Sequence, residues 1–113
     1  MGLFKKKEPA LELSIPASIV LTCNSIPVHD KATYWFEVLL NYNMVGRIEQ
    51  NGVSLTLSTT VNKNVLGLVM FMKESIGKIT EIGGRNLKLD LKDGEKANVV
   101  FEKRRFIVNG IIK

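Results

Sequence analysis

Val45-Gly-Arg-Ile-Glu-Gln-Asn-Gly-Val-Ser-Leu-Thr-Leu-Ser-Thr59 is the stretch whose pattern decides the fold class. Two extended runs flank Asn51-Gly52. Asn-Gly between such runs is the strongest short hairpin cue, because a type I′ turn needs positive φ at both central residues. After the turn, Val53, Leu55 and Leu57 alternate with Ser54, Thr56 and Ser58. That period of two gives one face to the core and one to water. The stretch predicts a β-hairpin.

The same logic extends toward higher residue numbers. Leu87, Leu89 and Leu91 alternate with Lys88, Asp90 and Lys92, and Asp93-Gly94 follows as a second hairpin cue. Ala97, Val99 and Phe101 continue the alternation on a return strand, and Phe106-Ile107-Val108 adds a short one. Gly83-Gly84, after Lys78–Ile82, reads as a turn. The last third is therefore expected to be a meander of three or four antiparallel strands with one polar face. Residues 64–76 admit two readings. Asn64 can cap a helix with Val65, Leu68, Val69, Met72 and Ile76 on one face. Alternatively, Val65–Met72 forms a strand buried on both faces. Segment length and the Lys73-Glu74 end favour the helix, although Gly67 opposes it.

Toward lower numbers, Leu11, Leu13 and Ile15 alternate with Glu12 and Ser14 before Pro16 interrupts. Ile19-Val20-Leu21 resumes as a second short strand. Proline within a sheet is confined to edges and bulges, so this region is expected at an edge or a bend. Asn24–Asp30, with Pro27, reads as a loop. Tyr34–Tyr42 fits a strand, or a helix capped by Asp30, and its aromatic content favours the strand. The expected fold is mainly β, a small antiparallel barrel or sandwich with one helix over 64–76. An α+β roll is the alternative.

At 113 residues the chain suits one domain, read as a basic tail over 1–9 and a single β-rich unit over 10–113. The tail carries Leu3-Phe4 and Lys5-Lys6-Lys7, and no apolar run of signal length follows it. No run approaches the ~18–20 apolar residues of a membrane-spanning helix. Cys23 is the single cysteine, so an intrachain disulfide is excluded and a reducing cytoplasm is the expected compartment.

The net charge is +5, with the excess of cations concentrated in the C-terminal half. This asymmetry suits an acidic partner such as nucleic acid, and equally a solvated surface. Lys103-Arg104-Arg105-Phe106 sets three cations beside an aromatic, a pattern that can contact phosphates and stack on a base. If the segment is a strand, Arg104 points away from Lys103 and Arg105. Lys88 and Lys92, on one strand face, can widen the patch. Gly83-Gly84-Arg85 offers backbone N–H groups and a guanidinium to an anion, without a P-loop pattern around it.

Catalytic chemistry is thin. Cys23 precedes His29 and Asp30, but Cys-x5-His matches no nucleophile or zinc signature. Asp90, Asp93 and Glu95 cluster at an expected solvent-facing turn. No cofactor is expected. The sequence thus points to a non-enzymatic binding or assembly module working through protein contacts, with self-association through free strand edges. A nucleic-acid-binding module using Lys88, Lys92, Lys103, Arg104 and Arg105 is the alternative.

Overall fold

Side-chain alternation with a period of two governs nearly all of a computed structural model of the chain, which describes residues 10–113. The tail expected over 1–9 lies outside the described residues. The strands are β1 (Glu12–Cys23), β2 (Ala32–Leu40), β3 (Asn43–Ile48), β4 (Ser54–Val61), β5 (Lys63–Glu74), β6 (Ile79–Asp90), β7 (Lys96–Glu102) and β8 (Arg105–Ile112). They form two four-stranded sheets, ordered β4-β1-β7-β8 and β3-β2-β5-β6. Every neighbouring pair is antiparallel except β1 and β7, which run parallel. The mainly β expectation holds, and of its two forms the architecture is a sandwich rather than a closed barrel.

The helix expected over 64–76 does not form. Those residues belong mostly to β5, which pairs with β2 on one side and β6 on the other. The tertiary environment overrides the local pattern, because β5 is paired along both edges and buries alternate residues against the opposite sheet. Asn64, Leu66, Leu68 and Met70 are buried toward the opposite sheet. On the other face, Phe71 stacks on Trp35 with ring centroids 5.8 Å apart. At Gly67 an added Cβ would lie 2.9 Å from Oδ1 at the tip of the exposed Asn86 side chain and 3.5 Å from Leu39 Cβ, so Asn86 would have to turn aside. No helix occurs among the described residues, so the α+β roll is also set aside.

The turns differ from expectation in an informative way. Asn51-Gly52 does not close a hairpin, because β3 and β4 lie in different sheets. The Asn51 side chain instead accepts from Ile26 N and donates to Ile26 O, both at 2.9 Å. Gly52 N donates to Cys23 O at 3.0 Å. Asp93-Gly94 likewise carries the chain between sheets, from β6 to β7. Asp93 Oδ1 accepts from Ser14 N at 2.8 Å, and Gly94 N donates to Ile15 O at 3.1 Å. Both cues therefore mark points where the chain changes sheet while pinning a neighbouring segment, and the expected C-terminal meander is split between the two layers.

Two tight hairpin turns form without glycine. Asn41 and Tyr42 (φ 52° and 68°) join β2 to β3, and Lys103 and Arg104 (φ 51° and 62°) join β7 to β8. Positive φ at both central residues is the type I′ geometry that suits twisted strands. Gly83-Gly84 is no turn but lies within β6, beside a bulge at Ile82. Pro16 lies at an irregularity of β1, the bend rather than the edge of the two placements expected for it. β1 is interior, and Pro16 falls in the gap between the Glu12–Val61 and Ala17–Thr59 pairs, where the ladder is already interrupted.

The core lies between the sheets. Ile19, Leu21 and Cys23 of β1 and Val99 and Phe101 of β7 face Phe36, Val38, Leu66 and Leu68 of the other layer. Each fully buried aliphatic side chain contributes about 1.5–3 kcal/mol relative to exposure. One polar knot sits where β4 passes into β5 through Asn62. Asn64 Oδ1 accepts from Thr59 Oγ1 at 2.6 Å and from Asn41 Nδ2 at 3.0 Å, and Asn64 Nδ2 donates to Val61 O at 2.9 Å. Asn41 Oδ1 accepts from Val65 N at 2.8 Å, tying the β2–β3 turn to the same corner.

Candidate functional site

The fold separates the groups that first suggested chemistry. Cys23 is fully buried in the core. Burial pushes its thiol pKa up, and a hydrogen bond involving the Ser25 backbone acts weakly against that shift. His29 sits on an exposed loop, where its Nδ1 accepts from Lys31 N at 3.1 Å. Asp93 and Glu95 are half-buried rather than solvent-facing. Glu95 Oε1 accepts from Lys92 N at 2.6 Å, so both carboxylates hold backbone.

The five basic residues singled out in the sequence divide between two regions. Lys88 pairs with Val65 on the outward side of β6. Lys92 lies beyond β6, in the crossing that leads to β7, so the shared strand face expected for Lys88 and Lys92 does not exist. Lys103, Arg104 and Arg105 are exposed at the far end of β7. A strand of that length spans roughly 20 Å, which separates Lys92 from them. The expected splitting of 103–105 by strand alternation is also replaced, since Lys103 and Arg104 form the turn itself. Phe106 is packed edge-on against Phe101, with centroids 4.9 Å apart.

Two features gather the remaining unexplained residues. The first is a cleft between the sheets, with a volume of about 150 Å³. Phe36, Leu68, Met70 and Phe101 give it apolar walls, and Arg85 and Arg104 stand at it from opposite layers. The register explains the opening. Directly opposed residues share a face, so the inward positions of β6 are Leu89, Leu87, Arg85 and Gly83, opposite Asn64, Leu66, Leu68 and Met70. Where two further leucines would close the sandwich, arginine and glycine leave space.

The second is the edge strand β8, which among the described residues pairs only with β7. Phe106–Ile112 carries no charge. Ile107, Val108, Ile111 and Ile112 are 39%, 41%, 41% and 55% exposed. The other edges differ in chemistry: β6 carries Glu81, Arg85, Lys88 and Asp90, β3 carries Arg47, and β4, also free of charge, exposes serines and threonines; the β2–β3 and β7–β8 ladders each contain a bulge, the latter at Asn109.

No protein-family model, curated protein or solved structure matches this chain. Its class is therefore stated from geometry: the described residues form an eight-stranded, two-sheet sandwich with an arginine-flanked cleft and an edge strand, β8, that exposes aliphatic side chains along a charge-free run. Sequence patterning missed both features. The uncharged run 106–112 was a usable signal for the edge. The meeting of Arg85 and Arg104 had none, because the two residues come from different sheets.

Proposed function

We propose that the protein is a non-catalytic assembly module that self-associates by pairing β8 with β8 of a second copy. The carrying observation is the free edge of β8, which over Phe106–Ile112 has no charge and exposes four aliphatic side chains, whereas the charge-free edge β4 exposes serines and threonines. Antiparallel pairing across a twofold axis joins two four-stranded sheets into one. In the register that sets Val108 opposite Asn109, Phe106 lies opposite Ile111 and Ile107 opposite Gly110. Arg105 then lies opposite Ile112 rather than opposite Lys113. The burial of Cys23 and the separate, exposed position of His29 support a non-catalytic reading. Nucleic-acid binding has weaker support, since the cations are divided between two regions and Phe106 is engaged with Phe101.

Light scattering over a range of protein concentrations tests the proposal. A dimer is expected for the wild type. Ile112→Lys sets a like charge opposite Arg105 and is expected to give monomers, whereas Ile112→Glu supplies a counter-charge and is expected to keep or tighten the dimer. Ile112 is exposed but also faces Lys96 of its own sheet, so thermal unfolding of each variant as a monomer separates that intrachain effect from dimerisation. A wild-type monomer at every concentration, or the same response to Lys and Glu, would overturn the proposal.

A further inference from the structure

We propose that the inter-sheet cleft is a binding site for a small aromatic anion, a carboxylate or phosphate monoester whose ring enters the sandwich while its charge meets Arg85 and Arg104. Size is the first support. A cleft of about 150 Å³ has the capacity for one benzene-sized group. Its walls match that occupant: Phe36, Phe101, Leu68 and Met70 offer aromatic edges, aliphatic surface and an adaptable thioether.

Charge is the second support. Among the described residues, neither Arg85 nor Arg104 forms an ion pair; the side chain of Arg85 donates only to Gly84 O, at 3.3 Å. No carboxylate of the described residues lines the cleft. Two guanidinium groups at one apolar opening repel each other unless an anion lies between them, and each can offer a carboxylate or phosphate a forked pair of donors. An inward charge on an edge strand can also serve to blunt that edge. Edge protection accounts for Arg85 alone, however. It does not explain why the turn of the opposite sheet delivers Arg104 to the same opening.

The backbone keeps the site open. An added Cβ at Gly83 would meet nothing within 4 Å, whereas one at Gly84 would lie 3.1 Å from Leu68 O. Gly84 is thus needed for the β5–β6 approach, while Gly83 leaves space that a side chain could fill.

The test follows the methionine methyl signals by NMR during titration with benzoate, phenyl phosphate, inorganic phosphate and benzyl alcohol. Met70 lines the cleft and Met44 does not, so the two report location. Saturable shifts at Met70 with benzoate or phenyl phosphate are expected, the better ligand identifying the preferred anion. Arg85→Gln and Arg104→Gln should each weaken binding roughly tenfold. Gly83→Leu should abolish it while the amide spectrum stays folded. Inorganic phosphate binding as tightly as phenyl phosphate, or benzyl alcohol as tightly as benzoate, would overturn the proposal. So would an unmoved Met70, or arginine variants that bind normally.

Discussion

Replacing Asn64 by leucine tests whether the polar corner between β4 and β5 holds the two sheets together. Asn64 is 3% exposed and Thr59 5%, so water cannot readily replace a lost partner at either. The substitution removes the acceptor for Thr59 Oγ1 and Asn41 Nδ2 and the donor to Val61 O. Asn41 is half-buried and can turn to solvent, and Thr59 keeps a long 3.5 Å contact with Val61 O. Two groups are then left poorly satisfied, at about 1–3 kcal/mol each, partly offset by the apolar leucine. The expected net loss is about 2–3 kcal/mol. Urea unfolding should show the midpoint falling by about 1–2 M with an unchanged slope. Thr59→Val alone should cost about 1 kcal/mol. The double variant should cost less than the sum, because removing both partners leaves fewer orphaned groups. An Asn64→Leu midpoint equal to wild type, or strict additivity in the cycle, would refute this account of the corner.

Three further outcomes are expected. Tyr42→Gly should stabilise the protein by on the order of 0.5 kcal/mol, since it relieves a left-handed non-glycine residue, whereas Asn41→Gly should destabilise it by removing the side chain that binds Asn64 and Val65; thermal unfolding compares the two. Gly84→Ala should lower the melting temperature because its Cβ meets the Leu68 carbonyl at 3.1 Å, while Gly83→Ala should leave it nearly unchanged. Stability should decline as pH rises above the ordinary thiol range, because an unfolded Cys23 ionises before the buried one and the unfolded state then binds fewer protons; urea titrations at neutral and alkaline pH should show the decline, and Cys23→Ala should remove that component.

Much of the strand content was legible, and the reason lies in specific runs. Leu87-Lys88-Leu89 and Ala97-Asn98-Val99 each have one wet face, so alternation identifies them. β5 was ambiguous because its outward face, with Val65, Val69 and Phe71, is apolar although only half-buried, which removes the polar half of that signal. Sheet membership was not legible at all. Asn51-Gly52 satisfies the chemistry of a hairpin, but its amide is committed to Ile26. Lys103-Arg104 is a real hairpin turn with no glycine, asparagine or aspartate to announce it. Of the cleft, Gly83-Gly84-Arg85 and Arg104 each stood out as anion-seeking, yet their convergence depends on how two separate sheets are stacked.

The parallel β1–β7 pair has a consequence for the order of assembly. Sheet β3-β2-β5-β6 needs only strands that precede β7 in the chain, so it can be complete before β7 leaves the ribosome. Strand β1 can meanwhile pair with β4, but its other side must wait for β7. Joining Ser18 to Lys96 then closes a long loop, the kind of distant pairing that slows folding toward the millisecond-to-second range. Until that joint closes, Ile19 and Leu21 lie on a nascent edge, and chaperone contact or misassembly would act during that interval.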